Sequence, residues 1–292
     1  MIDLHMHSKY STDGVEEVSY MLKMAENLGL KFISITDHNS CLAYNDLKKS
    51  EVRNLFSGGI ITGVELNTKV LGIPIEILGY NINPEKLSEL IDETYLSIDE
   101  RNRLEVERIY EKAVKAGLTL PEDFVDKYDG SVYCSKYFHS YITKDDGNKK
   151  FISESSWNDS NIFYREYMSN PTTPFFVDMD DALPDFETAY NIVKMAGGDV
   201  FLPHIFEYRD NSNRILDYIL EHYKIDGIEC YYRNFTREQT DYLLNICKER
   251  NFYISGGSDF HGRVKPHIKM GVGEGSLCVP NEIVNEWKKV LI

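Results

Sequence analysis

The sequence predicts an α/β protein whose two halves are separated by a mostly helical insertion. Three observations predict it. Short β-rich runs alternate with helically spaced segments over residues 1–83 and again over 175–292; polar residues crowd the ends of those runs; and residues 84–174 change to a long charged stretch broken by turn signals. At 292 residues the chain can bury a large core, and its length permits one α/β barrel or two smaller domains.

The chain opens with a short apolar segment carrying His5 and His7, with Asp13 six residues further on. On a strand, residues two apart point to the same side, so both imidazoles can address one point. Paired imidazoles suit zinc, manganese or iron. From Glu16 to Leu28, the residues Val18, Met21, Leu22, Ala25 and Leu28 recur at helical spacing, and Gly29 supplies a C-terminal stop. Phe32 to Thr36 is β-rich and closes on Asp37, His38 and Asn39. Ser40 to Lys49 reads as a second βα pass, Ile60 to Val64 delivers Glu65, and Ile73 to Tyr80 reads as a further strand.

In the insertion, Leu87 to Ala116 reads as one long helical segment, and Tyr133 to Thr143 as another helix. The α/β rhythm then resumes. A helix over Phe186–Met195 ends at Ala196-Gly197-Gly198, and Val200 to Pro203 leads into His204. A helix over Asn213–His222 precedes Gly227-Ile228 and Glu229. A helix over Arg237–Arg250 precedes Phe252 to Ser255, which runs into Asp259, Phe260, His261 and Gly262.

Lys plus Arg is 32 against Asp plus Glu 47, a net charge of −15, which disfavours extended nucleic-acid binding. A phosphate-bearing substrate stays open, because bound cations supply local positive charge. Five scattered cysteines without a C-x-x-C pair read as reduced thiols. No apolar run approaches the roughly 18 residues of a membrane span, and no signal-peptide pattern opens the chain. The expectation is a cytoplasmic protein.

The ends of the strand-like runs collect His5, His7, Asp13, His38, Glu65, His204, Glu229, Asp259 and His261. A satisfied core or surface histidine explains any one of them. It explains poorly why five of the eight histidines stand in such places with carboxylates beside them.

These motifs resemble those of the PHP (polymerase and histidinol phosphatase) family of metal-dependent phosphoesterases. The matching pieces are Asp3-Leu4-His5-Met6-His7-Ser8 with Ser11-Thr12-Asp13-Gly14, Ile35-Thr36-Asp37-His38, Gly63-Val64-Glu65, Leu202-Pro203-His204, Gly227-Ile228-Glu229 and Gly256-Gly257-Ser258-Asp259-Phe260-His261-Gly262. The closest-looking branch comprises stand-alone members with an inserted helical subdomain, some similar to nucleoside-monophosphate or 3′,5′-bisphosphate phosphatases. The resemblance implies a distorted TIM-like barrel of about seven β/α units, formed by 1–83 and 175–292, with two or three divalent ions (Mn, Zn or Fe) at its mouth. It implies that His5, His7, Glu65 and Asp259 hold a first ion. Glu65 would bridge to a second that also takes His204, and Asp13, His38 and His261 would hold a third.

Glu76 stands where relatives usually carry a histidine ligand. The Arg-x-His helix of relatives is matched only loosely, by a run that offers Lys136 and His139 as substrate contacts. Glu229 reads as a group orienting an imidazole, and Asp37 as a structural acceptor. Arg233, Arg263 and Lys265 are candidate grips for a second phosphate, set against plain surface charge.

The function so implied is hydrolysis of a small phosphomonoester by a metal-activated water, with Glu65, Asp259 and His204 central. The substrate would be a nucleotide or an oligonucleotide end. An amidohydrolase-like metal hydrolase and a non-catalytic metal-binding module are the alternatives.

Overall fold

The computed structural model describes residues 1–289. It contains two compact units, one made of Met1–Tyr95 with the chain from Leu183 on, the other of Leu96–Ala182. The second unit begins later than the change of character at residue 84. The reason is that the helix Pro84–Thr94 packs into the first unit, where Leu87, Leu90 and Ile91 join the core. The segment expected as one helix from Leu87 to Ala116 is two. After a break at Tyr95, the helix Ile98–Lys115 restarts from a capping box in which Ser97 and Glu100 satisfy each other's backbone N–H groups.

In the first unit, five strands form one sheet in sequence order: β3 (Gly63–Val70), β4 (Ile73–Tyr80), β5 (Asp199–Leu202), β6 (Gly227–Tyr232) and β7 (Tyr253–Gly257). Two short strands, β1 (Phe32–Ile33) and β2 (Gly59–Ile60), pair separately and in parallel. The β5–β6–β7 portion is parallel, but β4 runs antiparallel to both its neighbours. The regular sheet is thus mixed and five-stranded, not a closed circuit of parallel strands. The cause is local. Leu71 and Gly72 both take positive φ, at 54° and 75°, the two-residue turn that sends a strand straight back along its neighbour.

Glu65 and Glu229 were expected at strand ends. Each is instead the third residue of its strand, β3 and β6, with the strand continuing beyond it.

The N-terminal segment forms no regular strand, yet it is held in extended fashion from both sides. The Leu4 N–H donates to the Gly256 carbonyl (3.1 Å), the Asp259 N–H to His5 (2.8 Å) and the His7 N–H to Phe260 (2.8 Å). On the other flank the Asp3 N–H donates to Phe32 (3.1 Å) and the Thr36 N–H to Met6 (2.8 Å). Asp3 adds a side-chain anchor, accepting from the Ser258 N–H at 2.9 Å and the Ser258 hydroxyl at 2.6 Å. The alternation read from the sequence persists. Ile2 and Leu4 pack with Tyr80, Phe201 and Trp287, and Met6 enters the main core.

The helices that flank this unit bury the apolar stripes the sequence spaces for them. Val18–Asn27 buries Val18, Met21, Leu22 and Ala25, and Phe186–Met195 buries Phe186, Ala189, Ile192 and Val193. The Leu96–Ala182 unit has its own aromatic core around Phe124, Phe138, Phe163 and Phe175. No described helix is long and apolar enough to cross a membrane.

Gly257 marks the tightest approach in the first unit. A Cβ there would lie 2.4 Å from the His5 backbone nitrogen, which cannot move without releasing the ladder that holds His5 and His7. Gly257→Ala should therefore cost about 1–3 kcal/mol, the usual scale of overpacking, read as a lower urea midpoint. Wild-type stability in that variant would show that the segment is not pinned there.

Candidate metal centre

Two of the candidate ligands in the first unit sit on strained backbone. His204 follows β5 after one proline and has φ 22°, and Asp259 lies two residues past β7 with φ 56°. Non-glycine residues in this region cost about 1–3 kcal/mol, a strain that persists where a side chain is needed in that place.

The side chains converge on Glu65. Its Oε2 lies 3.1 Å from His5 Nε2, 3.2 Å from His7 Nε2 and 3.5 Å from His38 Nδ1. Its Oε1 lies 2.9 Å from His204 Nε2. Asp259 Oδ1 is 3.2 Å from His7 Nε2 and 3.7 Å from His5 Nε2. Glu76 projects from β4 beside it, with Oε2 3.4 Å from His204 Nε2 and Oε1 3.8 Å from His38 Nδ1. At the outer edge, Asp13 Oδ2 lies 2.7 Å from His261 Nε2, and Asp13 Oδ1 lies 3.8 Å from His38 Nε2. His7 stacks between the rings of His38 and His261 at 4.7 and 4.2 Å. All nine residues that the sequence places at the ends of its β-rich runs thus lie in one neighbourhood or directly behind it.

Glu229 stands behind. Its Oε1 is 3.0 Å from His5 Nδ1, and its Oε2 accepts the backbone N–H of His204 at 2.8 Å. One carboxylate therefore orients two ring-bearing residues from different strands. Asp37 accepts from the Ser8 backbone N–H and from its hydroxyl (2.7 Å), fixing the turn after His7. Burial raises Asp37 to about 6, even though the Ser8 hydrogen bonds oppose it.

Tyr232 was not singled out by its sequence context. Its hydroxyl donates to Asp259 Oδ2 at 2.9 Å, and Arg233 donates to that hydroxyl at 3.1 Å while lying 3.4 Å from the same carboxylate oxygen. The only sequence signal for Tyr232 is its place at the end of β6, three residues past Glu229 and so on the opposite face of a regular strand. The register shift between Glu229 and Tyr231 is what turns it inward.

Lys136 and His139 belong to the other unit, on the helix Cys134–Ile142. Lys136 is exposed, and His139 is half-buried with Nε2 2.8 Å from the Ser156 carbonyl.

The charges are held far from their ordinary balance. Burial by itself would depress the His7 imidazolium, but the carboxylates of Asp259 and Glu65 beside it outweigh burial and raise His7 to about 10. His204 is likewise depressed by burial and lifted by Glu65, Glu76 and Glu229, reaching about 9. In His38 burial wins, and the pKa falls to about 4. Burial would raise Glu65, yet the imidazoles around it hold it well below the carboxylate range. Glu76 rises to about 7, because burial and the negative Glu65 act together.

The donor set fits divalent metal. His5 gives its Nδ1 proton to Glu229, a pure acceptor, so the neutral ring turns an Nε2 lone pair onto Glu65 Oε2, another lone pair. Only a proton or a cation makes such a contact favourable. His7 Nε2 and His38 Nδ1 are buried and lack a hydrogen-bond partner among the described residues. Ligand-type atoms gather in three overlapping groups: His5, His7 and Glu65; His38, Glu65 and Glu76; and His7, Asp13, His38 and His261. Imidazole and carboxylate without thiolate suit manganese, zinc or iron.

Comparison with known proteins identifies the family. A family model for the PHP domain matches residues 3–254, and the chain belongs to the PHP-domain family. A 5′-3′ exoribonuclease of Haemophilus influenzae is 26% identical over 265 residues, covering 89% of each chain. The 5′-3′ exoribonuclease Rnm of Escherichia coli is 21% identical over 291 residues, covering 98% of this chain and 92% of that one. A solved protein of Bifidobacterium adolescentis, named as a candidate metal-dependent phosphoesterase, shares the fold with a TM-score of 0.63 at 21% identity, covering 98% of this chain and 94% of its own.

Because His5, His7 and His204 hold protons at neutral pH without metal, and a bound ion needs neutral rings, loading must release protons. Manganese titration at pH 7.5 should liberate about three protons, seen as a binding heat that changes with the ionisation enthalpy of the buffer. Apparent affinity should rise with pH up to about 9–10, where the imidazoliums are already lost. A buffer-independent heat would contradict the protonated resting cluster.

Proposed function

We propose that this chain is a metal-dependent phosphoesterase that acts at the 5′ end of RNA and releases nucleotides stepwise. The observation that carries the reading is the division of labour in Glu65. One oxygen faces His5, His7 and His38 while the other faces His204, the posture of a carboxylate spanning two cations. In this reading His5, His7, Glu65 and Asp259 hold a first ion. Glu65, Glu76 and His204 hold a second, and Asp13, His38 and His261 a third. Ions held by these residues would supply an acidified water and offset charge on the phosphate oxygens.

The protein's own residues prepare that chemistry. Glu229 fixes the tautomer of His5 and the backbone of His204. Tyr232 and Arg233 occupy Oδ2 of Asp259, leaving Oδ1 for the cluster. Glu76, in place of a neutral imidazole, adds negative charge and draws a harder ion to the second position. The N-terminal segment, bridged to Ile33 on one side and Phe260 on the other, supports a distorted barrel of which it is the first extended member.

The RNA-end substrate is supported by the two exoribonucleases similar to this chain along most of their length. The net charge of −15 suits a terminus better than a long strand. That same acidity also favours a second reading, a free nucleotide cleaved as a phosphomonoester.

Manganese-loaded protein should shorten a 5′-phosphorylated, 3′-labelled RNA oligomer one nucleotide at a time. Asp259→Asn and His7→Ala should each lose more than the roughly 10–100-fold that removal of an outer partner costs. Phosphate release from nucleoside monophosphates with the oligomer left intact would select the second reading. Failure of loaded protein to turn over either would reject both.

A further inference from the structure

The outer edge of the cluster contains a conflict that the chain itself resolves. His261 Nδ1 lies 2.8 Å from the main-chain carbonyl of Asp259, an atom that only accepts. The neutral ring therefore carries its proton on Nδ1 and points a lone pair from Nε2. That lone pair faces Asp13 Oδ2, also a pure acceptor, at 2.7 Å. A proton or a cation makes that contact favourable, and Lys265 brings a cation. Its Nζ stands 3.0 Å from His261 Nε2 and 3.5 Å from Asp13 Oδ2.

Lys265 is delivered there by its backbone. It closes the short turn Gly262–Val264, with its N–H donating to the Gly262 carbonyl at 3.2 Å. Glu16 clamps that turn by accepting the Arg263 N–H at 3.0 Å. Gly262 has φ 66°, and a Cβ on it would meet the Glu16 side chain at 2.2 Å, so the clamp closes only around glycine. The ammonium thus stands against two of the four residues, His7, Asp13, His38 and His261, whose donor atoms gather for one ion. An ammonium and a divalent ion on the same two atoms repel each other, so the two occupy the place in alternation.

We propose that Lys265 is an internal competitor for the third ion: its ammonium holds Asp13 and His261 until a divalent cation displaces it. The proposal rests on the reading of the cluster as a metal centre. It makes this position the last to fill. The lysine side chain is 35% exposed, so it has solvent on one side into which to withdraw. The first two positions, built on Glu65, have no such rival among the described lysines and arginines; Arg233 bonds instead to Tyr232 and the outer oxygen of Asp259.

The test is a titration of the whole protein with manganese(II) alone, following the electron-paramagnetic signal of the free ion. Lys265→Met keeps the length of the side chain and removes its charge, and Lys265→Arg keeps the charge. In Lys265→Met the weakest binding step should tighten by about tenfold or more, as expected when a state that blocks the site most of the time is removed. The two tighter steps should be unchanged, and Lys265→Arg should stay near wild type. An unmoved or weakened last step in Lys265→Met, with the first two intact, overturns the competitor role and leaves the metal centre standing. Equal tightening by Lys265→Arg overturns it as well. Absence of every binding step in all three proteins would overturn the metal centre and this inference together.

Discussion

A buried carboxylate surrounded by imidazole lone pairs is the constraint on which the first unit depends. Glu65 is almost wholly buried with four histidine rings around it, and Asp259 and Glu76 crowd the same volume. Such a collection is unfavourable unless positive charge is added, as protons when the site is metal-free or as metal when it is loaded. The neighbouring features follow from keeping that assembly in place. They include the doubly held N-terminal segment, the positive φ at His204 and Asp259, and the paired clamp of Asp3 on Ser258.

The support behind the ligand atoms is itself polar and almost fully paired. Glu229 ties β6 to both the N-terminal segment and the residue after β5, and Tyr232 ties the end of β6 to Asp259. In a low-dielectric interior these bonds fix orientation more than they add net stability, because each group lost its water in exchange. Outer partners of this kind set ring tautomer and ligand direction. They also link one strand to the next, so that the site and the sheet constrain each other.

The charge distribution bears on the kind of substrate such a site accepts. With a net charge of −15, nothing in the overall balance attracts a long polyanion. Beside the cluster, Lys265 and Arg233 bring positive charge against its carboxylates and imidazoles. A terminal phosphate can reach such a point without the strand behind it lying along an acidic surface. This is the physical sense in which an acidic protein and a nucleic-acid end are compatible.

Much of the site was legible because its chemistry is written in residue type and short spacing. His5 and His7 two apart predict a shared face, and an extended backbone delivers it; His204 and Asp259 follow strands β5 and β7 as the β-rich runs indicate. Periodicity likewise located the helices Val18–Asn27, Phe186–Met195 and Arg237–Arg250. What local pattern could not carry was pairing. Whether Ile73 begins a strand that returns antiparallel depends on two turn residues. Whether Pro84–Thr94 belongs to the first unit depends on where Leu87, Leu90 and Ile91 find a core. The inward turn of Tyr232 follows from a one-residue shift between strands, and the contact of Lys265 with Asp13 joins residues 252 apart in the chain. Sequence alone determined which groups were available and on what local scaffold, since those depend on near neighbours. Tertiary structure decided which groups share a charge, because that depends on distances across the fold.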